Sequence, residues 1–306
     1  MTKVLIATDK PFAKAAVDGI REITKKAGFE LRLLEKYTSK EQLLDAVKDV
    51  DAIIIRSDII DEPVINAAKN LKIVVRAGAG YDNVDLKAAT ARNVVVMNTP
   101  GQNANAVAEL TFGIMIYLNR NFYDGTSGVE LRGKSLGIHA YGHVGRILGI
   151  IAKGMGMDVC AHDPFIDKVI IENDGIKYIS DVKELYTRSQ YVAVCLPANA
   201  STKQSISEDL LSLMPEGATL VNPARKELIH EPSLLKMFSQ RKDFRYVTDT
   251  APDCGEQLKN EYPKRYYGTP KKMAAQTEEA NINAGLAAAR QIVNFILKGD
   301  KTFQVN

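Results

Sequence analysis

At 306 residues, with 45% hydrophobic and 25% charged residues, the chain has a globular composition and is too long for one ordinary core, so two domains are expected. Its 40 basic and 37 acidic residues are interspersed and leave a net charge of only +3, which excludes the one-sided basic footprint of a nucleic-acid binder. Cys160, Cys195 and Cys254 fall in no metal-ligand spacing, and Met1-Thr2-Lys3 leads straight into a strand pattern; a cytoplasmic protein with no leader, membrane span or metal is expected.

In chain order, Lys3–Thr8 reads as a strand, residues 11–27 as an amphipathic helix and 29–34 as a second strand. Ser39 caps a helix running to about Lys48. Ala52–Ile55 is a buried strand ending at Arg56-Ser57, and 62–68 is helical. Residues 73–75 form a strand ending at Arg76-Ala-Gly-Ala-Gly-Tyr81, followed by a helix at Leu86–Ala91 and a strand at 94–97. Asn98-Thr99-Pro100-Gly101 breaks the alternation and is the first expected domain boundary. A long helix over 103–118 carries the apolar stripe Val107, Leu110, Ile114 and Leu118. Beyond residue 163 come strands at 191–196, 219–221 and 246–248, and helices at 208–213 and 232–240. A last long helix, about 277–297, is rich in small residues. The alternation of strands and helices predicts an α/β protein with parallel sheets covered on both faces.

Residues 135–164 are the most demanding stretch. Leu136 and Ile138 open a short strand, a turn carries Ala140, Gly142 and Gly145, and Val144, Ile147, Leu148 and Ile151 give an apolar helix face. A second strand, 157–161, ends just before Asp163. This strand–turn–helix–strand unit suits a dinucleotide. Backbone N–H groups and the dipole at the helix start receive the pyrophosphate, so Tyr141, Gly142, His143, Val144 and Gly145 become candidate contacts. Gly142 permits close approach of the phosphates and Gly145 permits close helix–strand packing. Asp163 is spaced to accept from the adenosine ribose hydroxyls and would repel a 2′-phosphate, so NAD is expected over NADP. The first glycine of the fingerprint is replaced by Ala140, which is tolerable only where that residue avoids positive φ.

Polar residues just past strands mark where ligands collect in parallel sheets. Arg56-Ser57 and the Gly78-Ala79-Gly80 turn qualify in the first half; Asn222-Pro-Ala-Arg225, Asp249 and Thr269-Pro270-Lys271-Lys272 qualify in the second. The glycine turn can present N–H groups to a carboxylate, and Arg225 offers a planar fork for a carboxylate or keto oxygen.

Across essentially its whole length the chain resembles the D-isomer-specific 2-hydroxyacid dehydrogenases. The marks are Arg76 through Asp85, Asn98-Thr-Pro-Gly with Asn103 and Val107-Ala-Glu109, Leu131-Arg-Gly-Lys-Ser-Leu-Gly137, Leu196-Pro197, Val221-Asn-Pro-Ala-Arg225, Asp249 and Thr269-Pro270. Within the family it is most similar to the short enzymes that oxidise D-3-phosphoglycerate to 3-phosphohydroxypyruvate with NAD in serine biosynthesis. The resemblance implies a flavodoxin-like substrate domain, 1–99 plus 287–306, and a Rossmann domain, 100–286, inserted into it, with two long helices crossing between them and the active site in the cleft. It implies that Arg225 orients the substrate carboxylate and carbonyl, and that Arg56, Ser57, Gly78, Ala79, Gly80 and Asn103 hold the substrate. Pro197 and Asp249 would lie beside the cofactor, Asp249 at the nicotinamide.

The chain departs from the family pattern at three places. Lys271 stands where the family has its acid/base histidine after Thr-Pro, and Cys254 stands where a glutamate follows the aspartate by five residues, with Asp253 and Glu256 nearby but displaced. The two changes are consistent, because a cationic lysine needs no carboxylate partner to donate a proton. Alcohol oxidation needs a neutral amine, and the ordinary lysine pKa is about 10.4, so burial and the charge of Arg225 are expected to lower that of Lys271. Lys272 is the fallback acid/base and, with Arg56, a partner for the substrate phosphate. The third departure is a short link between the long helix and Leu131, without the family's tryptophan; a homodimer is still expected. The sequence ends at Asn306 after the last helix, so no appended regulatory domain is expected. Two alternatives stand beside the phosphoglycerate reading: a reductase of glyoxylate, hydroxypyruvate or another 2-oxo acid, and an NAD(H)-sensing protein that lost catalysis.

Overall fold

A computed structural model describes all 306 residues. The first nine elements are β1 (Lys3–Thr8), α1 (Lys14–Lys26), β2 (Glu30–Glu35), α2 (Lys40–Ala46), β3 (Ala52–Ile55), α3 (Glu62–Ala67), β4 (Ile73–Arg76), α4 (Leu86–Ala91) and β5 (Val95–Asn98). Next come α5 (Ala104–Asn119), β6 (Ser135–His139), α6 (His143–Gly154), β7 (Asp158–His162), α7 (Lys168–Asn173), β8 (Lys177–Tyr178), α8 (Val182–Arg188) and β9 (Tyr191–Val194). The chain continues through α9 (Glu208–Leu211), β10 (Thr219–Asn222), α10 (Glu231–Gln240), β11 (Arg245–Thr248), α11 (Gly255–Glu261) and β12 (Tyr266–Gly268), and ends in α12 (Glu278–Lys298).

Two compact units result. One comprises Met1–Asn103 and Gln276–Asn306, the other Ala104–Ala275. The second boundary lies at Ala275 rather than at residue 286, and the packing of α12 explains why. Ala284, Ala288, Ala289 and Ile292 join the core of β1, β3 and β4 with Ile20 and Phe12. Methyl groups added at Gly285 would press on Ile20 and Phe12 at 3.2 Å, so α12 lies close against α1 from its first turns onward.

The first unit is a five-stranded parallel sheet in the order β2-β1-β3-β4-β5. Its central strands read Ala-Ile-Ile-Ile and Ile-Val-Val-Arg, apolar on both faces as a helix-covered parallel sheet requires. The second unit is a seven-stranded parallel sheet in the order β12-β11-β10-β9-β6-β7-β8. Strand order reverses between β1 and β3 in one sheet and between β6 and β9 in the other, the places where doubly wound sheets open a crevice beyond their strand ends.

Several expectations are corrected. Helix α5 is buried around most of its circumference, with Ala104, Ala106, Ala108, Thr111, Phe112 and Met115 covered as well as Ile114 and Leu118. Val107 and Leu110 of the expected stripe are only half-buried. Small residues let neighbours close on all but the face of Asn105, Glu109 and Gly113, so a single stripe misdescribes this helix. Cys160 and Cys195 sit in apolar, strand-like runs that predict two buried thiols; Cys160 is buried, but Cys195 is half-buried, because it lies one residue past β9 where the sheet ends.

Candidate active site

In the second unit the chain turns sharply after β6. Ala140 has φ +81°, in the left-handed region, and is 7% exposed. The condition under which alanine replaces the fingerprint glycine without strain is therefore not met; a non-glycine residue held there costs of order 1–3 kcal/mol. The turn is pinned from three sides. The Ala140 N–H donates to the His162 carbonyl at 2.9 Å, the Tyr141 N–H donates to Asp163 Oδ2 at 2.8 Å, and the Cys195 N–H donates to the His139 carbonyl at 2.9 Å.

Gly142 is the N-cap of α6, with extended backbone and no side-chain cap. A methyl there would meet nothing within 4 Å, so the approach to the helix N-terminus is open. A methyl at Gly145 would fall onto the Ala140 carbonyl oxygen, with Ile138 Cγ2 at 3.0 Å. The two glycines thus divide the work, one leaving the helix start accessible and the other letting α6 reach the turn. His143 is exposed and Val144 half-buried on the first turn of α6. The Tyr141 side chain points away, buried, with its hydroxyl donating to Asp174 Oδ2 at 2.9 Å.

Asp163, 7% exposed, accepts from Tyr141 N–H on Oδ2 and from Phe165 and Ile166 N–H on Oδ1, at 2.8 and 3.2 Å. A carboxylate offers about four acceptor positions, so roughly one, on Oδ2, is left for a ribose hydroxyl. The open N-terminus of α6, the close-packed Gly145 and this remaining acceptor fit a dinucleotide. Pro197 is exposed just past β9, across the strand-order reversal from this turn.

Arg225 follows β10 in a tightly held loop. Fully buried Asn222 donates from Nδ2 to the Arg225 carbonyl at 2.9 Å, and its Oδ1 accepts from Ala224 N–H at 3.0 Å. Asn222 was seen in sequence only as the start of a motif; its burial is what makes it the clamp. The Arg225 guanidinium is half-buried and donates to the Ala224 carbonyl at 3.0 Å, leaving most of its fork available.

Asp249 is 1% exposed and ties down the next loop. It accepts from Thr269 Oγ1 and Met273 N–H on Oδ1 and from Ala274 N–H on Oδ2, each at 3.0 Å. These bonds bracket Pro270, Lys271 and Lys272. Both lysines are exposed, a correction to the buried setting expected for Lys271. The stretch follows edge strand β12 and is flanked by Thr269 and Ala274, both buried.

Cys254 does not stand without a carboxylate. Glu231, at the start of α10, accepts from Asp253 N–H at 2.7 Å and from Cys254 N–H at 2.8 Å. Burial, with Glu231 beside it, pushes the Cys254 thiol up to about 12, so it stays protonated. Asp253 instead pairs with Lys226, and Glu256 is exposed. Position 231 lies 23 residues before Cys254, which hid it from motif reading.

In the first unit, Arg56 and Ser57 follow β3 and Gly78-Ala79-Gly80 follow β4. The Arg56 guanidinium donates to the carbonyls of Lys10 and Pro11 at 3.1 and 3.3 Å and to Asn281 Oδ1 at 2.6 Å, and lies 5.3 Å from the centre of the Phe12 ring. Burial lowers its proton affinity. Part of the fork is thus already committed to backbone and to α12. Ser57 is exposed and lines a surface pocket of about 370 Å³ at the β1/β3 reversal, with Asp9, Asp58 and Asp61. Lys40, paired with Asp61, lines it too. Ala79 is exposed, Gly78 buried, and Asn103 half-buried at the last position of the first segment.

The fold and these clusters define the class. Residues 6–306 match the catalytic domain of D-isomer specific 2-hydroxyacid dehydrogenases, and the chain belongs to that family. It is similar to the NAD+-bound 3-phosphoglycerate dehydrogenase of Entamoeba histolytica, with 45% identity and a TM-score of 0.87 over 100% of this chain and 98% of that one. It is 34% identical over 284 residues to a D-3-phosphoglycerate dehydrogenase of Methanocaldococcus jannaschii, covering 86% of this chain and 52% of the relative. It is 32% identical over 219 residues to a hydroxypyruvate reductase of Thermotoga maritima, covering 67% of this chain and 70% of the relative. The chain spans about half the length of the first D-3-phosphoglycerate dehydrogenases it matches in sequence. No helix is long and apolar enough to cross a membrane.

Proposed function

We propose that the protein catalyses the NAD-dependent interconversion of D-3-phosphoglycerate and 3-phosphohydroxypyruvate, as a cytoplasmic homodimer serving serine biosynthesis. The observation that carries the reading is the full-length likeness, at 45% identity, to an NAD+-bound 3-phosphoglycerate dehydrogenase. The 1–103 plus 276–306 unit is the substrate domain on this reading, and 104–275 the dinucleotide domain.

Backbone N–H groups from Gly142 to Gly145 receive the pyrophosphate, that of Tyr141 being spent on Asp163; Asp163 offers its remaining acceptor to the ribose, and Pro197 flanks the cofactor. NAD supplies the hydride acceptor. Arg225 aligns the substrate carboxylate and the C2 oxygen through its planar fork, held in place by Asn222. Lys271 donates a proton to the C2 oxygen in reduction and, as a neutral amine, takes it back in oxidation. Asp249 fixes the Lys271 loop through Met273 and Ala274 N–H beside its part in the cofactor site. Arg56, Ser57, Gly78, Ala79, Gly80 and Asn103 hold the substrate, and Lys272 with Arg56 balances the phosphate.

The test is NADH absorbance across pH 6–10 with 3-phosphohydroxypyruvate, D-3-phosphoglycerate plus NAD, and glyoxylate or hydroxypyruvate as controls. Fast reduction of the phosphorylated acid and oxidation that improves at alkaline pH are expected. Lys271→Ala should lose about 100-fold or more in kcat, with NADH binding unchanged; near-full turnover would remove Lys271 from the mechanism. The likeness to a hydroxypyruvate reductase favours a second reading, which turnover of unphosphorylated acids alone would establish. NADH binding without turnover of any acid would leave a sensor.

A further inference from the structure

We infer that Arg76, which no role above includes, is a positioning residue that sets the spacing between the two loops assigned to substrate binding. The inference rests on the proposed function for its consequence and on geometry for its cause. Arg76 ends the inner strand β4, in register with Ile55 of β3 on one side and Asn98 of β5 on the other. Its Nε–H donates to the Arg56 carbonyl at 3.0 Å, the first residue past β3. Its guanidinium covers the α-carbon of Gly78, where an added methyl would fall onto Nη1. Gly78 has φ +147°, so glycine is demanded there twice, by the backbone and by the arginine.

The surroundings complete the brace. Asn83 Nδ2 donates to the Arg56 carbonyl at 3.3 Å and to the Asp58 carbonyl at 2.6 Å. On the other flank, Thr99 N–H donates to the Gly78 carbonyl at 3.0 Å, and Asn98 Nδ2 donates to the Ala79 carbonyl at 2.6 Å. Every carbonyl from Arg56, Asp58, Gly78 and Ala79 therefore has a named donor, and Arg76 alone reaches both loops. The Arg76 guanidinium is a rigid plane: its Nε–H bonds the β3 loop while its Nη1 end lies against the β4 turn at Gly78. A lysine ammonium is a compact point donor and cannot do both. Side chains of the two loops are then presented at a fixed separation, as substrate positioning requires.

The experiment compares Arg76→Lys, Arg76→Ala, Gly78→Ala and the Arg76→Ala/Gly78→Ala double variant. Arg76→Lys is expected to raise KM for 3-phosphohydroxypyruvate about 10-fold or more, with kcat and the NADH dissociation constant changed less than about twofold. Gly78→Ala is expected to raise KM by a larger factor in the parent than in the Arg76→Ala background, where the guanidinium is no longer in its way. Hydrogen exchange read by mass spectrometry is the arm independent of activity. Peptides covering 56–58 and 78–80 should both exchange faster in Arg76→Lys, with peptides of the 140–163 region unchanged. An unchanged KM, equal Gly78→Ala factors in both backgrounds, or unchanged exchange in either loop would overturn the brace. Coupled exchange in a protein that turns over no 2-oxo acid would keep the brace and remove the functional reading instead.

Discussion

The turn after β4 and the turn after β6 meet the same backbone demand with different residues. Gly78 has φ +147° and Ala140 has φ +81°. At Gly78 the side is closed as well, since the Arg76 guanidinium occupies the space of a methyl group. At Ala140 only the backbone asks for glycine, and the methyl group is accommodated at 7% exposure. Three hydrogen bonds from neighbouring strands hold that turn in a conformation alanine disfavours. Such a turn therefore makes two separate demands, dihedral and steric; Gly78 meets both, and Ala140 faces only the first.

The comparison is broken hardest by closing the second turn from the helix side. Gly145→Ala places a methyl on the Ala140 carbonyl oxygen. It should destabilise the protein by roughly 3 kcal/mol and weaken NADH binding, read by denaturant titration and fluorescence. Retained stability and affinity would mean that α6 does not approach the turn closely.

Acid acts on the same turn more gradually. Burial, and then His162, lower the His139 imidazole to about 4, against the opposing pull of Asp163. The unfolded chain takes up this proton near pH 6.5, so between these values the unfolded state binds more protons. Stability present above pH 6.5 is then lost as the pH falls toward 4, by up to about 3 kcal/mol. Chemical denaturation at pH 7 and pH 4.5 of the parent and of His139→Gln should show the smaller pH dependence in the variant. Parallel pH profiles would refute it.

Ala140→Gly sharpens the comparison with the smallest effect. Relief of the strained dihedral outweighs the entropy of an added glycine, so a gain of about 1 kcal/mol is expected. A thermal scan that shows a loss would mean the alanine methyl contributes more by packing than its backbone loses.

The legible parts of the sequence were those with long apolar runs or paired signals. Lys3–Thr8, Ala52–Ile55 and Leu86–Ala91 match the structure residue for residue, and the 135–163 unit keeps its order. Strands β8 and β12, of two and three residues, carry too little pattern to be seen and are defined by the neighbours that recruit them. Helix α11 begins at the Cys254-Gly255 step without a side-chain cap, and Glu231, from another segment, holds the Asp253 and Cys254 N–H groups just before it. Distance along the chain hid Glu231 as a support, whereas Asn222 and Arg76 stand at strand ends and show their part only in the bonds they make. Sequence reading finds groups that stand at strand ends; it does not find the partners that fix them from elsewhere in the chain.

Asp163 carries a consequence for redesign. Changing the acid past the second strand is the obvious route to a dinucleotide bearing an extra phosphate, since the negative charge is removed. Here that carboxylate is also the hub of three backbone N–H groups, at Tyr141, Phe165 and Ile166. A neutral side chain with no acceptor would strand them, at about 1–3 kcal/mol for each that water cannot reach. Cofactor preference and the shape of the glycine turn are thus one variable in this protein. A successful switch would have to bring its own acceptor, such as asparagine or serine at 163, before any cation for the new phosphate could be useful.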